Sequence, residues 1–127
     1  MAASARTRVN IRWRDLDPLG HLNQAVYHEL LEEGRGALLA RERAFPFVIA
    51  HIELDYRAEV RKDHDAVDVV TQVARLGRTS VTLEERIEHL DGTVAAEGRS
   101  VLVAWDMRAR ESRELSEDER SFLSSSS

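Results

Sequence analysis

The 127-residue chain contains no cysteine. That excludes a disulfide scaffold, a thiol nucleophile and Cys-based zinc sites. No apolar run approaches the ~20 residues that a membrane span requires. Residues 1–8 lack the apolar core of a signal peptide, so the expectation is a cytoplasmic protein with no membrane partner. Basic charge is not in excess: 18 Lys and Arg stand against 23 Asp and Glu, a net charge of −5. A chain of that sign is a poor general nucleic-acid binder, because neutralising phosphates needs a basic face. A local basic patch for one small phosphorylated ligand remains compatible with it. There is also no Gly-x-Ser-x-Gly elbow, no P-loop and no dinucleotide fingerprint. A nucleophile would have to be a carboxylate, Ser, Thr or water. Asp15-x-Asp17-x-x-Gly20 has the opening of a calcium loop, but its twelfth position is Val26 rather than Glu, which argues against calcium. His21 and His28 have no third ligand at helical spacing, and His51, His64 and His89 are scattered, so no metal is expected.

What is present is a soluble, globular balance, 43% apolar and 32% charged in 14.4 kDa, which fits one domain. Residues 1–7 are small and polar and read as frayed. Val9, Ile11 and Trp13 alternate with polar residues as a half-buried strand, broken at Pro18 and Gly20. Over residues 24–42 the period changes. Tyr27, Leu30, Leu31, Gly34 and Leu38 form an apolar stripe at helical spacing, and Asn23 is a candidate N-cap. Gly34 on that apolar face suggests close packing against a sheet. Alternation resumes after Pro46, with Val48, Ala50, Ile52, Leu54, Tyr56, Ala58 and Val60 on one side. Val67, Val69 and Val73 follow, then a turn at Gly77, then Val81, Leu83 and Ile87. Asp91-Gly92 is a hairpin signal. Val101, Val103, Trp105 and Met107 close the last strand. Ser116 with Glu119 three residues on resembles a capping box that opens a short terminal helix, and residues 124–127 read as a disordered tail.

The predicted order is β–α–β–β–β–β. Short turns imply antiparallel pairing, and one helix covering one sheet gives an α+β domain. The uncovered sheet face must meet water or a second subunit, which favours an oligomer.

The densest polar segment, residues 14–24, lies between the first strand and the helix. If the extended chain continues through it, Asp15 and Asp17 face the apolar side about 6–7 Å apart. Partial burial and mutual repulsion would then raise at least one pKa. The helix start brings free backbone N–H groups beside them. A carboxylate next to such donors suits acyl transfer, in which the carboxylate attacks a carbonyl or activates water and the amides stabilise the oxyanion. The alternative is structural: Asp before Pro favours turns, and Asp or Asn at a helix start caps it. Glu29, Glu32 and Glu33 read as a solvated helix face, with a role as acids or bases as the alternative. Glu85 falls in phase with the apolar side of its strand, as an edge residue, an interface partner or a site group. Arg57, Arg61, Lys62, Arg75 and Arg78 lie near strand ends, as phosphate partners or as ordinary charged surface.

The run from Ile11 to Tyr27, with its Asp-x-Asp-x-x-Gly-His-x-Asn-x-x-x-Tyr pattern and with Glu33 and Arg35 following, resembles hotdog-fold acyl-CoA thioesterases of the 4-hydroxybenzoyl-CoA thioesterase-like branch. Gly77-Arg78-Thr79-Ser80 is also similar to that family. The resemblance implies a five-stranded antiparallel sheet wrapped around one long central helix, in one domain over residues 1–127 with its core at about 6–107. It implies a homodimer or homotetramer with sites at the subunit interface. It makes Asp17 the catalytic carboxylate and puts the oxyanion donors at the helix start, near Asn23, Gln24 and Ala25. Gly20 is then the residue that lets substrate approach, while His21 shapes the loop or positions water. Asp15 and Tyr27 would contact substrate, and the acyl chain would enter an apolar pocket beside the helix. The substrate would be an acyl-CoA. Coenzyme A is part of that substrate, so no retained cofactor is expected. A binding protein without turnover, for acyl-CoA or an acyl carrier, and an enoyl-CoA hydratase on the same scaffold are the alternatives.

Overall fold

The structure, a computed structural model, describes residues 2–39 and 46–124. Strand β1 (Ser4–Asn10) leads through a short 3-10 turn (Trp13–Asp15) to helix α1 (Gln24–Leu39). Then come β2 (Phe47–Tyr56), β3 (Ala66–Leu76), β4 (Ser80–His89), β5 (Val94–Asp106), a two-residue strand β6 (Glu111–Ser112) and helix α2 (Glu117–Ser124). The strands pair antiparallel in the order β1-β3-β4-β5-β2, with β6 attached to β5. The α+β reading therefore stands, with five strands on the continuous path and a small sixth beside it. The anticipated helix over residues 24–42 is seen for 16 residues, Gln24–Leu39, and its expected residues 40–42 lie outside the described residues. A helix of that length spans about 24 Å, slightly more than the ~19 Å across five paired strands. It can therefore carry the chain from one sheet edge, β1, to the other, β2.

Several local expectations differ. Residues 4–7 are not frayed. Arg6 and Arg8 point to the outer face and bind the buried carboxylates of Asp68 and Glu88 at 2.9–3.2 Å, while Ala3 is fully covered and its carbonyl accepts Val73 N–H. Strand β1 ends at Asn10, and Trp13 is not on a buried face but 79% exposed. Strand β2 ends at Tyr56, and a bulge between Ile49 and His51 reverses its phase. Phe47 and Ile49, not Val48 and Ala50, thus share the inner face with Ile52 and Leu54. In β5 the inward set is Ser100, Leu102 and Ala104, all buried, rather than Val101 and Val103, and Met107 lies beyond the strand.

Gly34 does mark a close approach. A Cβ there would stand 2.5 Å from Thr71 Oγ1 and 2.6 Å from Val69 Cγ1, so α1 sits directly on β3. The Asp91-Gly92 hairpin forms, with Gly92 at φ +93°. The Ser116–Glu119 capping box is reciprocal: Ser116 N–H donates to Glu119 Oε1 at 2.7 Å and Glu119 N–H to Ser116 Oγ at 3.1 Å.

The core is in two parts. Tyr27, Leu30, Leu31, Val67, Val69 and Ile87 belong to one, and Leu38, Val73, Val81, Leu83, Leu102 and Leu123 to the other. Between them runs a buried polar belt of Arg35, Thr71, Glu85 and Ser100. Arg35 and Glu85 form a bidentate pair at 2.7 and 3.1 Å, with side chains 8% and 1% exposed. Glu85 thus faces inward, as its phase indicated, and its partner is the helix.

Candidate functional site

Residues 11–25 form a compact turn stitched by its own backbone. The extended geometry expected for Asp15 and Asp17 fails because Asp15 closes a turn on itself. Its carboxylate accepts Arg12 N–H at 2.8 Å and the Arg12 guanidinium at 2.9 Å. Asp15 is 3% exposed. Burial alone would push its carboxyl up, but the hydrogen bonds and charge of Arg12 outweigh it and hold it below the usual carboxylate range. This is the opposite of the upward shift that repulsion between two carboxylates would bring. Asp15 is the anchor of the loop: its carbonyl also accepts Asn23 N–H at 2.7 Å.

Beyond Asp15 the chain doubles back. Leu16 pairs with Leu22, Asp17 N–H donates to His21 C=O at 2.8 Å, and Gly20 N–H donates to Asp17 C=O at 3.0 Å. Gly20 takes φ +81°, with nothing within 4 Å of where a Cβ would stand. Glycine is needed there for the sign of φ, and the space outside it is open. Asp17 Oδ1 accepts Leu19 N–H at 2.9 Å and His21 N–H at 3.2 Å, so the carboxylate is fixed in an Asx-type turn. Oδ2 has no partner among the described residues.

The same turn positions the helix start. Asn23 caps α1 through its Oδ1, which accepts Ala25 N–H at 3.0 Å, and its carbonyl accepts Val26 N–H. Of the three amides considered as oxyanion donors, Asn23 N–H and Ala25 N–H are therefore occupied. Gln24 N–H, the first amide of the helix, has no acceptor among the described residues.

Several contacts around this loop had no signal in the sequence. His21 Nε2 lies 3.1 Å from Glu59 Oε2, both side chains being a little under half exposed. Glu59 is held in turn by Arg61, whose hydrogen bond is the main reason its carboxyl lies below the usual range. The Glu59 carbonyl meets His89 Nε2 at 2.9 Å, and His89 stacks on His64 at 3.9 Å. Glu59 fell on the polar side of the strand pattern, and no local signal pointed it at His21. Tyr27 is buried and packs edge-on against Tyr56 at 4.9 Å; burial, with Tyr56 and Glu59 nearby, raises its phenol.

An apolar cleft of about 430 Å³ runs along the side of α1 that carries His28, Glu32, Arg35 and Gly36, facing Phe47, Ile49, Ile52 and Leu102. That volume is within the ~300–1,000 Å³ usual for ligand pockets. His28, the first helix residue of the cleft, stands one turn beyond Gln24 on the same stripe of the helix. Of the basic residues near strand ends, Arg57, Arg61 and Arg78 face carboxylates of this chain. Lys62 and Arg75 form no ion pair among the described residues. Among those residues, no helix is long and apolar enough to cross a membrane.

A family model described as the thioesterase-like superfamily matches residues 11–123. Among solved structures, a thioesterase from Thermus thermophilus complexed with coenzyme A and Zn is 36% identical, with a TM-score of 0.84 over 93% of this chain and 90% of that one. A predicted thioesterase from Bacillus stearothermophilus is 28% identical, with a TM-score of 0.81 over 94% and 93%. A DHNA-CoA thioesterase from Staphylococcus aureus, at 15% identity over 88% and 80%, shares the fold with a TM-score of 0.77. No curated protein matches the chain.

Proposed function

The chain belongs to the thioesterase-like superfamily, and from that premise we propose that it hydrolyses an acyl-CoA thioester to the free acid and coenzyme A. The observation that carries this is the state of Asp17. One carboxylate oxygen is fixed by two loop amides and the other is unengaged, in the turn that also presents the unpaired Gln24 N–H. The thioester carbonyl oxygen would accept from Gln24 N–H at the positive end of α1. Asp17 Oδ2 would take a proton from water as it adds to the carbonyl carbon, and the tetrahedral intermediate would collapse by expelling the thiolate, which recovers the proton. Direct attack by Asp17, giving an anhydride that water then opens, uses the same atoms. Gly20 leaves the carbonyl's approach open. His21, held by Glu59, would position the water, and the cleft beside α1 would take the acyl chain.

A homodimer is part of the reading. β2 is a ten-residue edge strand carrying exposed Val48, Ile49 and Tyr56. An uncovered edge of that length invites a second copy, which would also close the cleft beside it. The resemblance to a structure complexed with coenzyme A supports the choice of thiol carrier.

The test is thiol release from a panel of aliphatic and aromatic acyl-CoAs by the wild type and by Asp17→Asn. Asn can still accept both loop amides, so the turn is kept while the basic oxygen is lost. Release should fall by about 10²–10⁴-fold. Full activity in both Asp17→Asn and Asp17→Ala would sink the assignment. The His21–Glu59 pair supports a second reading, hydration of an enoyl-CoA, which loses enoyl absorbance without releasing thiol.

A further inference from the structure

The cleft along α1 is apolar on the sheet side but is not lined by apolar groups alone. Arg35 lines it, and Arg35 is an unusual donor. Its Nε and Nη2 are committed to Glu85 at 2.7 and 3.1 Å. Nη1 has no partner among the described residues. The side chain is only 8% exposed, and Arg35 is among the residues that line the cleft. The fork is thus locked by its bidentate partner, and Nη1 is the one guanidinium nitrogen left for a ligand in a cleft whose sheet side is apolar. An unsubstituted hydrocarbon lying there would strip water from Nη1 and return nothing. A chain bearing an oxygen at that depth would replace the lost hydrogen bond.

Charge decides which oxygen. Arg35 is already neutralised by Glu85, and Glu32 adds a further negative group at the rim of the cleft. A carboxylate would meet no net positive charge there, whereas a hydroxyl or ketone needs only the donor. Position follows from the helix. From Gln24 to Arg35 the axis rises about 16 Å, a span covered by an extended chain of about twelve carbons.

We propose that this cleft selects acyl chains carrying a neutral oxygen, a hydroxyl or keto group, far from the thioester, and that Arg35 Nη1 recognises that oxygen. The proposal rests on the acyl-CoA reading for the reaction, but the recognition itself is independent of turnover. The experiment therefore has two separate readouts. The first is equilibrium binding of dodecanoic, 12-hydroxydodecanoic, 11-oxododecanoic and dodecanedioic acids. The second is thiol release from the corresponding acyl-CoAs.

The wild type should bind the hydroxy and oxo acids about tenfold tighter than the plain or the dicarboxylic acid. Arg35→Met/Glu85→Met, which removes both charges and keeps the volume, should lose that preference while still binding the plain chain. Glu85→Gln, which leaves Arg35 charged and under-neutralised, should move the preference toward the dicarboxylic acid. Equal binding of all four acids by the wild type, a preference that survives in the double variant, or no binding of any of them overturns the proposal. Absence of thiol release despite selective binding counts against the hydrolase reading alone.

Discussion

Two glycines two residues apart on α1 should respond to the same substitution with opposite sign. Gly36 has nothing within 4 Å of where a Cβ would stand. Gly36→Ala therefore gains helix propensity and meets nothing, a stabilisation of about 0.5–1 kcal/mol. Gly34→Ala gains the same propensity but puts its Cβ 2.5 Å from Thr71 Oγ1 and 2.6 Å from Val69 Cγ1. Both neighbours are β-branched and on a paired strand, so neither can rotate away cheaply. At 2.5–2.6 Å the overlap falls in the upper part of the overpacking range, about 2–3 kcal/mol, which leaves a net loss of roughly 1–2 kcal/mol after the propensity gain. For a chain of this length 1 kcal/mol moves Tm by about 4 °C. Melts followed by far-UV circular dichroism at one fixed protein concentration should show Gly36→Ala rising by about 2–4 °C and Gly34→Ala falling by about 4–8 °C. If Gly34→Ala melts at or above the wild type, the close approach of α1 to β3 is wrong. The positions of Arg35 and the cleft would then be wrong with it.

The buried ion pair gives a second stability contrast. Arg35→Met alone strands the Glu85 carboxylate and should cost about 3–5 kcal/mol, whereas the paired Met replacement should come close to neutral in urea denaturation. Acid should weaken the fold through Asp15, Asp68, Glu88 and Glu119, whose carboxyls all lie below their ordinary values in the folded chain. Their contribution is complete above the unfolded carboxylate range near pH 4 and drains as pH falls through the lower folded values. The urea midpoint should therefore hold from pH 7 to 5 and drop between pH 4 and 2; a midpoint that stays flat there contradicts these pairings. Glu59→Gln keeps a hydrogen-bonding oxygen for His21, and Glu59→Ala removes it. Thiol release should thus decline in the order wild type, Gln, Ala with Tm nearly unchanged, and equal rates would remove His21 from the mechanism.

The local pieces of this molecule were legible in its sequence because they are closed by neighbours a few residues apart. Asn23 caps α1, Asp91-Gly92 turns the hairpin and Ser116 with Glu119 opens α2, each by hydrogen bonds spanning two to four residues. The inward phase of Glu85 and the small residue at 34 were equally visible, since a period of two or 3.6 assigns a face without reference to the rest of the fold. The motif through Asp17 to Tyr27 identified the loop that carries the candidate chemistry.

Tertiary structure decided the rest. One bulge at Ile49/His51 reversed which side of β2 lines the cleft, and a bulge leaves little trace in an apolar alternation. Asp15 and Asp17 look equivalent in the sequence. They were separated only when Asp15 folded onto Arg12 and was buried, leaving Asp17 with a free oxygen. Glu59 reached His21, and Glu85 reached Arg35, across 38 and 50 residues of chain. Such pairs follow from how the sheet and helix close on each other, because a charge chooses its partner by distance in space and by the cost of burying it alone.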